Sequence, residues 1–146
     1  MKSINTWFDE YSESHQNPTN KHIHWACVPA ILFAIIGLLA HFSALLTALI
    51  VILTLIFYAR LDLVLAVAMA ALFFMMAWMI ILLPFGKGFY LAIFIIAWIG
   101  QFYGHKIEGK KPSFFKDLQF LLIGPIWCMD AYLAKIYPKY WKTRQP

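Results

Sequence analysis

The side chains able to do chemistry collect in two stretches. The first reads Tyr11-Ser12-Glu13-Ser14-His15-Gln16-Asn17-Pro18-Thr19-Asn20-Lys21-His22-Ile23-His24-Trp25. The second reads Gly100-Gln101-Phe102-Tyr103-Gly104-His105-Lys106-Ile107-Glu108-Gly109-Lys110-Lys111-Pro112. His105 and Glu108 stand at i and i+3, so a helix continued through them puts both on one face. Two or more neutral imidazoles with a carboxylate suit Fe(II), Zn(II) and similar borderline metals. Two histidines and one carboxylate with open positions are the donor set of non-haem iron and oxygen chemistry. His15, His24, His105 and Glu108 are therefore the candidate ligands. His22 and His24 lie about 200° apart around a helix, so a helical segment sends only one of them into a given site.

The neighbours have both a chemical and a structural reading. Asn17 and Asn20 can orient a ligand, and Asn-Pro-Thr-Asn is also a turn and helix-cap signal. Gln101 flanks His105 at helical spacing. Lys106, Lys110 and Lys111 either meet lipid headgroups or hold the carboxylate of an amphiphile, and Glu108 pairs as easily with Lys106 or Lys111 in water. Gly100 and Gly104 form a GxxxG, read as close helix packing. There is no HExxH, paired CxxC, Walker or GxSxG motif. The same histidines also fit a metal-free scaffold that binds lipid headgroups, in which each is dispensable. They fit a haem or quinone redox module too, which would show a Soret band.

The elements that must carry these residues follow from composition. Of 146 residues 62% are hydrophobic and 13% charged, with a mean hydropathy of +0.70. That is too little charge to cover a water-soluble surface, and it excludes a disordered tail and a disulfide-stapled secreted domain. The net charge of +5 is scattered, which points to anionic lipid and not to nucleic acid. Cys27 and Cys128 each sit inside an apolar run and read as buried thiols.

Four apolar segments run over 23–40, 42–58, 63–83 and 89–102. About 20 helical residues cross a ~30 Å hydrocarbon core, and an apolar strand alone cannot satisfy its backbone in lipid. Short connections make successive helices antiparallel neighbours. A fifth stretch, 118–136, is interrupted by Gly124-Pro125 and carries Asp130. If it does not cross, Lys and Arg divide eleven against one between the two sides; if it does, seven against five. The positive-inside rule selects the first arrangement.

The expected fold is thus all-α: one polytopic membrane helix bundle over residues 1–146, about four transmembrane helices plus a C-terminal interfacial or re-entrant helix. Residues 1–22 form a polar cytoplasmic segment without a signal peptide. The four spans occupy 23–102 and a basic cytoplasmic loop 103–117. The interfacial helix and basic tail fill 118–146, with Trp127, Tyr132, Tyr137, Tyr140 and Trp141 at headgroup level. Both termini are cytoplasmic, in a bacterial inner membrane or an endoplasmic reticulum membrane.

The pattern Tyr11…His15-x-Asn17-Pro18-x-Asn20-x-x-Ile23-His24…Val28-Pro29, followed by Ile99-Gly100-Gln101-Phe102-x-Gly104-His105…Glu108…Pro112, resembles the 2-hydroxy-fatty-acid dioxygenase family. Its eukaryotic members act in fatty-acid α-oxidation during phytosphingosine breakdown. The resemblance implies an Fe(II)-dependent integral membrane enzyme that uses O2 to remove one carbon from long-chain 2-hydroxy fatty acids. It maps the motif histidines onto His15, His24 and His105, and carries no function to His22 or His41.

Overall fold

The computed structural model describes residues 2–83, 85–109 and 114–138. All regular structure there is helical: α1 (Ile4–Ser12), α2 (Pro18–Phe42), α3 (Ala44–Leu61), α4 (Leu63–Leu82), α5 (Lys87–Glu108) and α6 (Phe114–Ile136). Helices α2 to α5 are each long and apolar enough to cross a membrane. Their outward faces carry bare Leu45, Ile81 and Ile96, as a surface solvated by lipid requires.

The boundaries come from single residues. Asn17 caps α2 by accepting from Thr19 N–H at 2.9 Å, with Pro18 in the first turn, where its missing N–H costs nothing. Ser43 serves two helices: its N–H donates to Leu39 O at 2.8 Å, and its Oγ accepts from Leu46 N–H at 3.2 Å. Asp62 does the same between α3 and α4, donating to Tyr58 O at 2.8 Å and accepting from Leu65 N–H at 2.9 Å. One extended residue at each joint reverses the chain, so α2, α3 and α4 lie side by side. Helix α5 ends on Gly109, whose φ of 73° suits a residue without Cβ.

Helix α2 is the centre of the bundle and packs on α3, α4, α5 and α6, most extensively on α5. That contact depends on glycines. A Cβ on Gly100 would lie 2.7 Å from Cys27 Sγ, and one on Gly37 would lie 2.2 Å from the Tyr90 ring. The expected GxxxG contact is therefore present. Alanine in a helix ordinarily gains up to ~1 kcal/mol over glycine. Gly37→Ala is instead expected to destabilise the bundle by about 1–3 kcal/mol through overpacking. Gly37→Ala combined with Tyr90→Leu should recover most of that loss in a thermal melt in detergent.

Three sequence expectations are revised. Residues 1–22 are not simply a polar segment: Ile4, Trp7, Phe8 and Tyr11 recur at helical spacing and fasten α1 to the core. Residues 103–108 are not loop, because α5 continues through them to Glu108. Trp127 and Tyr132 turn inward instead of presenting their rings outward, since buried aromatic N–H and O–H groups seek partners. Trp127 Nε1 donates to Ser12 Oγ at 3.1 Å, and the Tyr132 hydroxyl donates to Trp25 O. Tyr137 is exposed; Tyr140 and Trp141 fall outside the described residues. Cys128 is buried and Cys27 half-buried, both free.

Candidate metal centre

The two polar stretches meet at one end of the bundle. His15 lies in the turn between α1 and α2, His24 nearly two turns into α2, and His105 in the last turn of α5. All three are buried, with 4%, 1% and 8% of their surface exposed. One ring nitrogen from each lies within 4.8 Å of the other two, a set that could hold a metal ion. The ring centres stand 4.3 Å apart for His15 and His24, 5.3 Å for His15 and His105, and 4.9 Å for His24 and His105.

Local structure fixes the rings. His15 Nδ1 bonds Tyr11 O at 2.7 Å, and His24 Nδ1 bonds Asn20 O at 3.0 Å. A carbonyl accepts only, so each Nδ1 carries the proton and each Nε2 keeps its lone pair. Backbone carbonyls commonly orient metal-binding histidines in this way. His15 Nε2 is buried without a hydrogen-bond partner, an arrangement that costs energy unless something fills it. Tyr11 stacks flat on His15 at 4.3 Å, and Trp127 packs against both rings, 5.1 Å from Tyr11 and 5.6 Å from His15.

Burial holds the His15 pKa down at about 4, against the bonus of its bond to the Tyr11 carbonyl. The ring is therefore neutral at pH 7 and available as a donor. This carries a sign for stability. Between pH 6.5 and 4 the unfolded chain takes up a proton at His15 that the folded protein refuses. Stability is then expected to be flat above pH 7 and to fall as pH drops through that window, by up to about 1.4 kcal/mol per unit. Thermal melts of the metal-free protein at pH 7.5 and 5.5 check this, and His15→Ala should reduce the difference.

Glu108 stands outside the three-histidine group. Its carboxylate accepts from Gln16 N–H at 2.8 Å, Asn17 N–H at 2.9 Å and Asn20 Nδ2 at 3.0 Å. The acid at the end of α5 thus ties down the turn that presents His15. Asn20 also donates to Ser14 O at 3.1 Å. A Cβ on Gly104 would fall 2.4 Å from Asn20 Oδ1 and 3.4 Å from His24 Cε1, so the second glycine of the GxxxG makes room for the site itself. Gln101 lies one turn before His105 and lines the same cavity. Lys106 is exposed, and Lys110 and Lys111 fall outside the described residues.

The other histidines are not brought in. His22 is exposed and packs on Trp25. His41 lies at the far end of α2, bonded to Gly37 O at 2.8 Å. Sequence reasoning missed the α6 side of the site. A Cβ on Gly124 would lie 3.0 Å from the Tyr11 hydroxyl, and Pro125 is held inside the helix. Proline there removes the donor for the carbonyl four residues back; the next carbonyl, Leu122 O, accepts from the Tyr58 hydroxyl at 2.6 Å. The Gly-Pro pair was the visible signal, and it marks close packing over the histidines.

The histidines open into a cavity of about 440 Å³ whose remaining walls are mostly apolar residues of α2, α3, α5 and α6. Fold and site together define a polytopic helical membrane protein with a buried three-histidine centre at the head of an apolar cavity. Among curated proteins and solved structures nothing matches the chain. The family described as 2-hydroxy-palmitic acid dioxygenase Mpo1-like matches residues 1–136, and the chain belongs to it.

Proposed function

We propose that this protein is an Fe(II)-dependent dioxygenase that removes one carbon from long-chain 2-hydroxy fatty acids at the membrane interface. The observation that carries the reading is the convergence of His15, His24 and His105 at the polar end of an apolar cavity. The family's description, a 2-hydroxy-palmitic acid dioxygenase, supports the substrate class. The reaction balances as R–CH(OH)–COOH and O2 giving R–COOH, CO2 and H2O. Substrate carbons supply all four electrons, so no external reductant is needed.

The residues fit the metal: three buried imidazoles suit a borderline divalent ion and leave positions open. Fe(II), when bound, would supply the one-electron chemistry with O2 and a template for the hydroxyl and carboxylate. The chain's own groups do the rest. The Tyr11 and Asn20 carbonyls hold the His15 and His24 rings in register. Tyr11 and Trp127 keep water from the His15 ring. Gln101 offers a hydrogen bond to the acid's head inside the cavity. Lys106, with Lys110 and Lys111, attracts the anionic headgroup to this face. Residues 118–136 lie against the membrane without crossing it, and the Lys and Arg excess then places the site and both termini on the cytoplasmic side.

The test combines metal content with turnover. Protein purified in mild detergent, loaded anaerobically with Fe(II) and given O2 and 2-hydroxyhexadecanoate should bind one iron. It should consume one O2 for each pentadecanoate and CO2 formed. A folded protein that takes up no iron and leaves the acid unchanged would return the histidines to the role of interfacial anchors in a lipid-binding scaffold.

A further inference from the structure

The cavity does not stop at the histidines. It follows α2 downward past Val28, Ile31, Leu32, Ile35, Ile36 and Leu39. With His24 these recur at i, i+4, i+7, i+8, i+11, i+12 and i+15, one unbroken stripe on one helix face. From His24 to Leu39 is fifteen residues, about 22 Å at the helical rise. The facing wall is Thr47, Ile50, Val51 and Thr54 of α3, again a single face. The Thr47 and Thr54 hydroxyls each donate at 2.8 Å to a carbonyl one turn back, so neither hydroxyl needs a partner in the groove. Apart from these two satisfied threonines the wall below the histidines is mostly apolar, and Ser14, His15, His24, Gln101 and His105 cluster at its head.

Along that length the cavity of about 440 Å³ is narrow and long enough to take an extended polymethylene chain. A staggered chain of ~1.5 Å carbon–carbon bonds advances about 1.25 Å per carbon, so the groove accepts roughly 16–18 carbons. The occupant that matches is a single-tailed amphiphile with an acidic head at the histidines. Among the described residues α3 and α5 share no extensive interface, which gives a tail a route from the bilayer between these two helices.

We infer that this groove is the acyl-chain site and that Leu39 and Thr47, where Ser43 reverses the chain, close its distal end and set the chain length accepted. For the identity of the head group the inference rests on the proposed dioxygenase reading; for the tail it rests on the groove. A tail leaving lipid for an apolar groove gains little from desolvation, because lipid is as apolar as the wall. Selection must therefore come from fit, and fit ends at the Leu39–Thr47 pair.

The experiment uses the full-length protein in lipid nanodiscs without O2. A 2-hydroxyhexadecanoic acid carrying a diazirine at its terminal carbon is photolysed and the labelled peptides are mapped. Labels are expected around Leu39, Thr47 and Ile50. The ten-carbon analogue, reaching about eight residues along α2 at the same advance per carbon, should label near Leu32 and Thr54. Thr47→Trp should cut labelling by the sixteen-carbon acid at least tenfold and leave the ten-carbon acid within twofold. Leu39→Trp is the second variant if the first does not fold. Labels spread over lipid-facing residues, or equal losses for both lengths, overturn the inference. Ordered labelling with no turnover when Fe(II) and O2 are supplied would keep the groove and sink the reaction. Turnover with disordered labelling would do the reverse.

Discussion

His105→Ala is expected to abolish stoichiometric metal binding, and His15→Ala and His24→Ala are expected to do the same. Loss of a group that merely orients a ligand costs 10–100-fold in metal affinity, so loss of one of three donors should exceed about 100-fold. The three rings share one buried pocket, and no other histidine of the described residues is near enough to substitute. The fold should survive. The relevant readout is therefore the metal-dependent rise in melting temperature, not the melting temperature itself. A ligand held at a hundred times its Kd adds about 2.7 kcal/mol to stability; that increment should be present in the parent protein and missing in each variant. His22→Ala, altering an exposed ring, should keep it. A variant at His15, His24 or His105 that still bound one metal tightly would remove that residue from the ligand set.

Glu108→Gln is expected to have the second-largest effect, with a different signature. Glu108 accepts three N–H groups, two of them main-chain donors at residues 16 and 17. Hydrogen bonds to a charged group are each worth about 1.5–3 kcal/mol. The amide keeps one acceptor oxygen and turns an NH2 toward donors, so a loss of about 2–3 kcal/mol is expected. Because this carboxylate positions the His15 turn, metal affinity should fall by roughly 10–100-fold. Saturating metal should restore full stoichiometry and an unchanged metal spectrum. Glu108→Asp should recover part of the affinity. A changed spectrum at full occupancy would instead make the carboxylate a ligand, as the His105–Glu108 spacing first suggested.

The bundle was legible in the sequence because lipid solvation leaves few alternatives: four long apolar segments without charge must be helices. Their ends were less legible. Composition marks where hydrophobicity stops, whereas the helix stops where its hydrogen bonds do, so α5 runs six residues past Phe102 to Glu108. Helix α1 was hidden because its four inward residues are diluted by a polar outer face. The histidines were legible as candidates, and His22 was separable from His24 by helical angle alone. The Tyr11 and Asn20 carbonyls were not, since a main-chain acceptor leaves no mark in residue type. Nor was the post taken by Glu108, about ninety residues from the donors it binds.

That separation has a consequence for how the protein is made. His15 and His24 leave the ribosome with the first 24 residues, whereas His105 and Glu108 follow after three more helices have been synthesised. The turn bearing His15 has only its local bonds, such as Asn20 to Ser14 O, until Glu108 arrives to accept the Gln16 and Asn17 N–H groups, and α6, which roofs the pocket, comes later still. A nascent chain therefore cannot assemble the centre early. The three-histidine centre is complete only when membrane insertion is nearly finished, and a truncated product ending before residue 105 carries an incomplete one into the bilayer.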